Sequence, residues 1–166
     1  MELKIKIRQV KKQDLDACYN VENKFYTNEG ASKERIRKRI ETYPKGFLIV
    51  ELKGKIIGII NGTSTDKEDI SDEALKDMVD FENDGKNIVI FSVAILPEFQ
   101  GQGISKPLLK KFINTSKEMK KKKILLICKE NLVRYYKKFG FIYIGKSKSN
   151  HGGFEWHEMY LPLNNK

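Results

Sequence analysis

Apolar and polar positions alternate along the first part of the chain in a way that predicts paired strands. Residues 2–8 alternate charged and apolar side chains, which predicts a first strand. Two apolar runs, residues 47–52 and 56–61, are separated by a short loop that contains Gly54, as is typical of a β-hairpin. The pattern therefore predicts an antiparallel pair near the start of a sheet.

Helical periodicity fills the stretch between the first strand and the hairpin. A first helix is predicted after Asp14, a favoured N-cap residue, and its inward side is formed by Leu15, Cys18, Tyr19, Val21 and Phe25. A second short helix is predicted from Ser32, with Arg35 and Arg39 on a very basic outer side, and Tyr43-Pro44 ends it. We expect this helical pair to cover one face of the sheet.

The middle of the chain changes from polar to strongly apolar. The stretch from Gly62 to Asp84 is predicted to be loop with one short amphipathic helix formed by Ala74, Leu75, Met78 and Phe81. The apolar run from Ile88 to Leu96 predicts a buried strand. A turn with two glycines follows and leads into an amphipathic helix whose inward residues are Ile104, Leu108, Phe112 and Ile113.

The last third of the chain predicts three more strands and a helix. A strand over Ile124–Cys128 follows a helix, which implies a parallel partner in the strand before that helix. Asn131 is the expected N-cap of a helix whose face is Leu132, Tyr135, Tyr136 and Phe139. Strands over Phe141–Ile144 and Phe154–Leu161 complete an α/β (α+β) fold with a mixed, mostly antiparallel central sheet of about six to seven strands and helices on both faces.

Composition narrows the class of protein. The chain of 166 residues fits a single domain over residues 1–166 and needs no metal or disulfide to hold a core. Its two cysteines, Cys18 and Cys128, match no metal-ligand spacing and suit a reducing, cytoplasmic location. The charged, alternating N-terminus matches no signal peptide, and no apolar run reaches membrane-spanning length.

The formal net charge of +10 would attract any anion without choosing among them. The densest basic block, Lys117–Lys123, falls where a helix ends, so a solvated helix terminus explains it better than a nucleic-acid site. Neither interleaved aromatic residues nor a basic recognition helix accompanies the block. We therefore expect no nucleic-acid or membrane partner.

The glycine turn after the apolar strand is the strongest chemical signal. Glycine allows close approach of the backbone to a ligand, and the N–H groups at a helix start bind phosphate oxygens, so a phosphorylated cofactor is expected. Two common phosphate motifs fit poorly. A P-loop requires two glycines five residues apart, and a dinucleotide fingerprint requires a third glycine where this chain has Lys106.

The turn resembles the pyrophosphate loop of the GNAT superfamily of acyl-CoA-dependent N-acetyltransferases. The matching residues are Gln100, Gly101, Gln102, Gly103, Ile104 and Ser105, after Val93-Ala94-Ile95-Leu96-Pro97. A second family signature matches Asn131 and the run Tyr135-Tyr136-Lys137-Lys138-Phe139-Gly140-Phe141. The resemblance extends over nearly the whole chain.

This resemblance implies acetyl-CoA as cofactor and direct attack of an amine on the thioester. Main-chain N–H groups from Gly101 to Lys106 would bind the pyrophosphate, and Gln100 and Asn131 are further cofactor contacts. The strand residues Val93, Ala94 and Ile95 would pair with the pantetheine arm. Tyr136 is the expected general acid, and Glu22 the expected base through water. His151 and His157 are alternative bases, and no metal is implied.

A closer resemblance is to the branch that includes the arylalkylamine N-acetyltransferases. It rests on Glu22, Tyr43-Pro44, Asn61-Gly62-Thr63, His151-Gly152-Gly153, Trp156 and Met159. The two histidines of the animal enzymes are replaced by Val89 and Phe91, so that proton route is absent here. A small-molecule amine is the favoured acceptor. A protein lysine or N-terminus, and a non-catalytic CoA-binding or nucleic-acid-binding module, are the alternatives; a homodimer is one option for the assembly.

Overall fold

The computed structural model describes residues 4–27, 29–68, 78 and 81–163. In these residues lie four α-helices: α1 Leu15–Phe25, α2 Lys33–Thr42, α3 Ser105–Glu118 and α4 Glu130–Lys137. The strands are β1 Ile5–Gln9, β2 Phe47–Leu52, β3 Lys55–Thr65, β4 Asn87–Ile95, β5 Lys123–Cys128, β6 Ile142–Lys146 and β7 His157–Pro162. The amphipathic helix expected between Ala74 and Phe81 falls mostly outside the described residues.

The seven strands follow the order β1-β2-β3-β4-β5-β7-β6. The pairs β1–β2, β2–β3, β5–β7 and β6–β7 are antiparallel, whereas β4 and β5 are parallel and start in register at Asn87 and Lys123. The predicted class, a mixed and mostly antiparallel sheet with helices, is confirmed. The parallel pair inferred from the strand–helix–strand order is also confirmed.

The chain divides into two compact units. The first unit comprises Met1–Gly62 and Ser92–Asn114, and the second comprises Thr63–Phe91 and Thr115–Lys166. The first therefore holds α1, α2, β2 and β3 as far as Gly62, and the second holds α4 and the β5–β7–β6 strands. The prediction of a single domain stays a prediction.

The hairpin of the first unit is tighter and longer than the sequence pattern indicated. Its loop has two residues, Lys53 and Gly54, both with positive φ (51° and 78°), which suits the twist of an antiparallel pair. Strand β3 continues to Thr65, although the apolar pattern ended at Asn61. The polar residues at its end are buried, and a buried polar run resembles a loop in sequence.

Both helix starts in the first unit lie where they were predicted, but the caps differ. Ser32 Oγ accepts a hydrogen bond from Arg35 N–H at 3.1 Å, as an N-cap should. The Asp14 carboxylate makes no cap bond to α1; it accepts from Lys11 N–H at 2.8 Å and from Arg8 Nη1 at 2.8 Å. Arg39 was placed on the outer side of α2 and is instead only 2% exposed.

The second unit departs from the prediction at its basic block and at α4. Lys121 is 4% exposed, and its ammonium donates to Ser64 Oγ at 2.7 Å and Gly85 O at 2.6 Å, so this lysine is not a solvated helix terminus. Helix α4 starts at Glu130 with Lys129 as N-cap, so the predicted N-cap Asn131 lies inside the first turn and is exposed. Leu132, expected on the inward face, is 39% exposed.

Candidate active site

The glycine turn of the first unit connects β4 to α3 through a short 3-10 helix, Pro97–Phe99. Gly101 and Gly103 both have φ of +76°, a conformation that disfavours other residues. A Cβ atom at either glycine would meet nothing within 4 Å, so the backbone there borders open space. The turn can therefore bring main-chain N–H groups close to a ligand.

Helix α3 supplies the polar end of this turn. Its first main-chain hydrogen bond runs from Leu108 N–H to Ile104 O at 3.4 Å. The first N–H groups of any α-helix lie before its first main-chain bond, and together with the helix dipole they make this end favourable for an anion; Pro107, in the first turn here, has no N–H. Ile104 is buried and anchors the helix start, whereas Lys106 is exposed and adds a positive charge.

Gln100 holds the strand end to the turn. Its side-chain Nε2 donates to Ile95 O at 3.1 Å. This bond uses the carbonyl at the last residue of β4, while Leu96 N–H donates to Ile57 O at 2.8 Å. Gln100, a predicted cofactor contact, thus bonds to Ile95 of β4. This bond fixes the course of the backbone from β4 into the glycine turn.

Strand residue Val93 has an unexpected partner in Tyr26 at the end of α1. The Tyr26 hydroxyl donates to Val93 O at 3.0 Å and accepts from Val93 N–H at 3.4 Å. The sequence analysis did not single out Tyr26. The sequence offers one signal for Tyr26 as a site residue. It follows Glu22 by four positions and so lies on the same side of the helix as that predicted site residue.

Glu22 is buried in the first unit, with 2% exposure. Its Oε2 accepts from Ala31 N–H at 2.9 Å, which ties the turn after α1 back to the helix. Among the described residues no hydrogen-bond partner reaches Oε1. A buried carboxylate oxygen without a partner is costly, so Glu22 Oε1 would gain from a hydrogen bond donated by a water molecule or a ligand.

A buried chain of polar groups crosses the first unit next to Val93. Arg39 Nη1 of α2 donates to Asn61 Oδ1 at 2.9 Å, and Asn61 Nδ2 donates to Ser92 Oγ at 2.7 Å. Asn61 belongs to the Asn-Gly-Thr stretch singled out in the sequence, whereas Arg39 was missed because arginine usually indicates a surface position. The chain links α2, β3 and β4.

In the second unit, Tyr136 is 7% exposed on α4. Its ring packs edge-on against Tyr135 and Phe141, with centroid separations of 5.4 and 5.6 Å. Burial, with smaller contributions from Cys128 and Tyr135, raises the pKa of the Tyr136 phenol well above its usual range. The phenol therefore keeps its proton at neutral pH, as a general acid requires.

The two cysteines are ordinary buried thiols. Burial raises the pKa of Cys18 to about 12 and that of Cys128 to about 11, so neither is a thiolate at neutral pH. Cys128 also lies beside Met159, with 3.9 Å between the sulfur atoms.

The histidines of the second unit are held by neighbouring groups. Tyr143 Oη lies 2.7 Å from His157 Nδ1, and Glu155 Oε2 lies 3.0 Å from His157 Nε2. Both ring nitrogens of this buried histidine are therefore engaged. His151 lies in a short 3-10 turn, and its carbonyl accepts from Trp156 Nε1 at 2.9 Å.

The geometry of the turn defines the class of protein. The fold and the turn fit a protein that holds a phosphorylated cofactor at the start of α3, because the glycine backbone borders open space there and the helix end favours an anion. Glu22, Val93, Ala94, Ile95 and the residues of the turn belong to the first unit, whereas Asn131 and Tyr136 belong to the second. In the described part of the chain, no helix has the length and hydropathy needed to span a membrane.

Residues 15–141 match the model of the acetyltransferase (GNAT) family. The chain therefore belongs to this family of acyl-CoA-dependent acetyltransferases, as the two sequence signatures predicted. The closer branch that includes the arylalkylamine enzymes stays a prediction. A search of curated protein sequences gave no match.

Solved structures share the fold at low sequence identity. The loading GNATL domain of CurA from Lyngbya majuscula is similar with a TM-score of 0.86 and 19% identity, covering 98% of this chain and 99% of that one. GphF, a GNAT-like decarboxylase in complex with isobutyryl-CoA, gives 0.78 and 14%, covering 96% and 100%. The ribosomal-protein-S18-alanine N-acetyltransferase from Escherichia coli gives 0.68 and 17%, covering 96% and 94%.

Proposed function

We propose that this protein is an N-acetyltransferase that moves an acetyl group from acetyl-CoA to a primary amine, with a small-molecule amine as the acceptor. The observation that carries the proposal is the pair of positive-φ glycines, Gly101 and Gly103, at the start of α3. Membership of the GNAT family and the acyl-CoA bound to one structural neighbour, GphF, support a CoA-type cofactor. We further propose that the protein acts in the cytoplasm and can form a homodimer.

The cofactor would be held at three places. Main-chain N–H groups between Gly101 and Lys106 bind the diphosphate, and Gln100 orders the turn through its bond to Ile95 O. The main-chain groups of β4 from Val93 to Ile95 pair with the pantetheine amides in the manner of an added strand. Asn131 contributes a further polar contact from α4.

The bound thioester supplies an acyl group with a thiol as leaving group. When the amine nitrogen bonds to the acyl carbon, the carbon–sulfur bond breaks, and two protons must move. Glu22 Oε1 accepts the proton lost by the amine through a water molecule. Tyr136 donates its phenolic proton to the departing sulfur, and its raised pKa keeps that proton on the phenol at neutral pH until the sulfur departs.

A panel of acceptors tests the proposed reaction. Release of free CoA from acetyl-CoA is measured with polyamines, arylalkylamines and aminoglycosides, and in parallel with peptides that carry a lysine or a free N-terminus. We expect turnover with at least one small amine. Turnover with peptides alone would favour a protein acceptor, the second candidate, since one structural neighbour is a ribosomal-protein-S18-alanine N-acetyltransferase. CoA binding without any turnover would favour a non-catalytic module.

The role of Glu22 is tested by steady-state kinetics. Glu22→Gln keeps an acceptor for Ala31 N–H but removes the carboxylate, so we expect kcat/KM to fall about a hundredfold. The matched control is Asp16→Asn, which changes an exposed carboxylate on the same helix. A kcat/KM in Glu22→Gln equal to that of the wild type would remove Glu22 as the base.

A further inference from the structure

At the end of strand β4, main-chain groups form hydrogen bonds with side chains, where a strand usually bonds to a neighbouring strand. The parallel ladder between β4 and β5 runs from Asn87 paired with Lys123 to Ile90 paired with Leu126. Beyond it, in the first unit, both main-chain groups of Val93 bond to the Tyr26 hydroxyl, and Ile95 O accepts from Gln100. Side chains thus occupy the backbone groups on which the proposed cofactor pairing depends.

One hydroxyl group satisfies both polar groups of Val93. A tyrosine hydroxyl has one donor and two acceptor positions, so it can donate to Val93 O at 3.0 Å while it accepts from Val93 N–H at 3.4 Å. A residue of a neighbouring strand, or an amide of an extended ligand, would form the same pair of bonds. The hydroxyl and such a ligand therefore compete for the same two atoms.

The backbone around Tyr26 is fixed by its neighbours. Tyr26 N–H donates to Glu22 O at 2.8 Å, which closes the last turn of α1, and the Phe25 ring lies edge-on to the Tyr26 ring at 4.6 Å. Glu22 Oε2 holds Ala31 N–H at 2.9 Å, so the turn folds back on the helix. A Cβ atom at Gly30 would lie 2.9 Å from Tyr26 O, so this close return of the chain requires glycine.

We infer that Tyr26 is a latch on β4, whose hydroxyl holds Val93 N–H and Val93 O and must be displaced when the pantetheine arm of CoA pairs with this strand. The inference rests on the proposed function, because it requires CoA as the ligand. Tyr26 is a positioning residue in this account. It affects the affinity for CoA because it sets the fraction of molecules in which the main-chain groups of Val93 are not bonded to the Tyr26 hydroxyl.

The direction in which CoA affinity changes when the Tyr26 hydroxyl is removed distinguishes a latch from a residue that supports the site. If a ligand binds only when the latch is open, its apparent dissociation constant is the intrinsic one divided by the open fraction. Removing the hydroxyl raises that fraction. Because a hydrogen bond contributes modestly to stability, Tyr26→Phe should tighten CoA binding about two- to tenfold. A residue that merely supports the site would weaken binding when changed.

The experiment measures CoA binding by calorimetry in the wild type, in Tyr26→Phe and in Tyr19→Phe, a matched change on the same helix. Hydrogen exchange of the Val93 amide, followed by NMR in the same proteins, reports the latch directly. We expect tighter CoA binding and several-fold faster Val93 exchange in Tyr26→Phe only. Added CoA should slow Val93 exchange to a similar level in all three proteins.

Two negative results have different meanings. If the wild type binds CoA but Tyr26→Phe binds it equally or more weakly, the latch is overturned while the proposed function stands. If the wild type does not bind CoA, the proposed function fails and the latch fails with it. Unchanged Val93 exchange in Tyr26→Phe would contradict the latch whatever the affinity, because the amide would then not depend on the hydroxyl.

Discussion

Replacement of Gly103 by valine is expected to raise the dissociation constant for CoA at least a hundredfold. Gly103 has φ of +76°, and a β-branched residue in that conformation costs about 1–2 kcal/mol, so the turn must change shape. The N–H groups between Gly101 and Lys106 would then no longer converge on the diphosphate. Charge-assisted hydrogen bonds are worth about 1.5–3 kcal/mol each, so losing two of them gives an effect of at least this size.

Gly54→Val is the matched control for this change. Gly54 in the β2–β3 hairpin has φ of +78° and also borders open space, so valine there causes the same backbone strain away from the turn. Calorimetry with CoA should show normal binding by Gly54→Val and little or none by Gly103→Val, although thermal unfolding should show similar destabilisation. Equal losses of CoA binding in both variants would mean that the loss comes from lower stability of the fold, and the turn would then not be the binding site.

Replacement of Tyr136 by phenylalanine is expected to lower kcat by about 10² to 10³ and to leave KM for acetyl-CoA within about twofold. General acid catalysis commonly contributes factors of this order. Phenylalanine keeps the ring that packs against Tyr135 and Phe141, so the fold should be preserved. Because the pKa of Tyr136 is raised by burial, the wild-type rate should show no alkaline loss from this phenol below about pH 10, the usual phenol pKa.

Tyr135→Phe provides the neighbouring control. Tyr135 is half-buried and packs on the same aromatic cluster, so its variant tests whether any loss of a phenol on α4 reduces turnover. Steady-state kinetics with one accepted amine should show a large fall in kcat for Tyr136→Phe alone. A wild-type kcat in Tyr136→Phe would exclude the phenol as proton donor and leave solvent as the source.

The sequence predicted elements in which apolar side chains repeat with a clear period. Strands β2, β4 and β5 are apolar runs and lie near their predicted positions, and the glycine turn with its helix was recognisable from residue type alone. Strand β3 was predicted too short. Its end carries Asn, Thr and Ser side chains whose burial depends on partners elsewhere, such as Arg39 at Asn61 and Lys121 at Ser64.

Dependence on partners that are distant in the sequence also explains which residues were missed, at the candidate site and elsewhere. Arg39 and Lys121 are long cationic residues that usually indicate surface, and only tertiary hydrogen bonds make their burial favourable. Tyr26 and Val93 are separated by 67 positions, so no local pattern connects them. Asn131 was expected at the N-cap, but the N-cap is Lys129 and α4 begins two residues earlier than predicted, and helix boundaries are among the least certain inferences from sequence.

A titration of isotope-labelled protein with CoA at physiological salt shows whether the turn from Gly101 to Lys106 binds the diphosphate. We expect the largest changes in amide NMR signals at Gly101, Gly103 and Ile104, with a second group at Val93. Because the chain carries a net charge of +10, unspecific attraction of an anion is the alternative. Changes confined to the basic block, Lys117–Lys123, with none at the turn, would show that the turn does not bind the diphosphate.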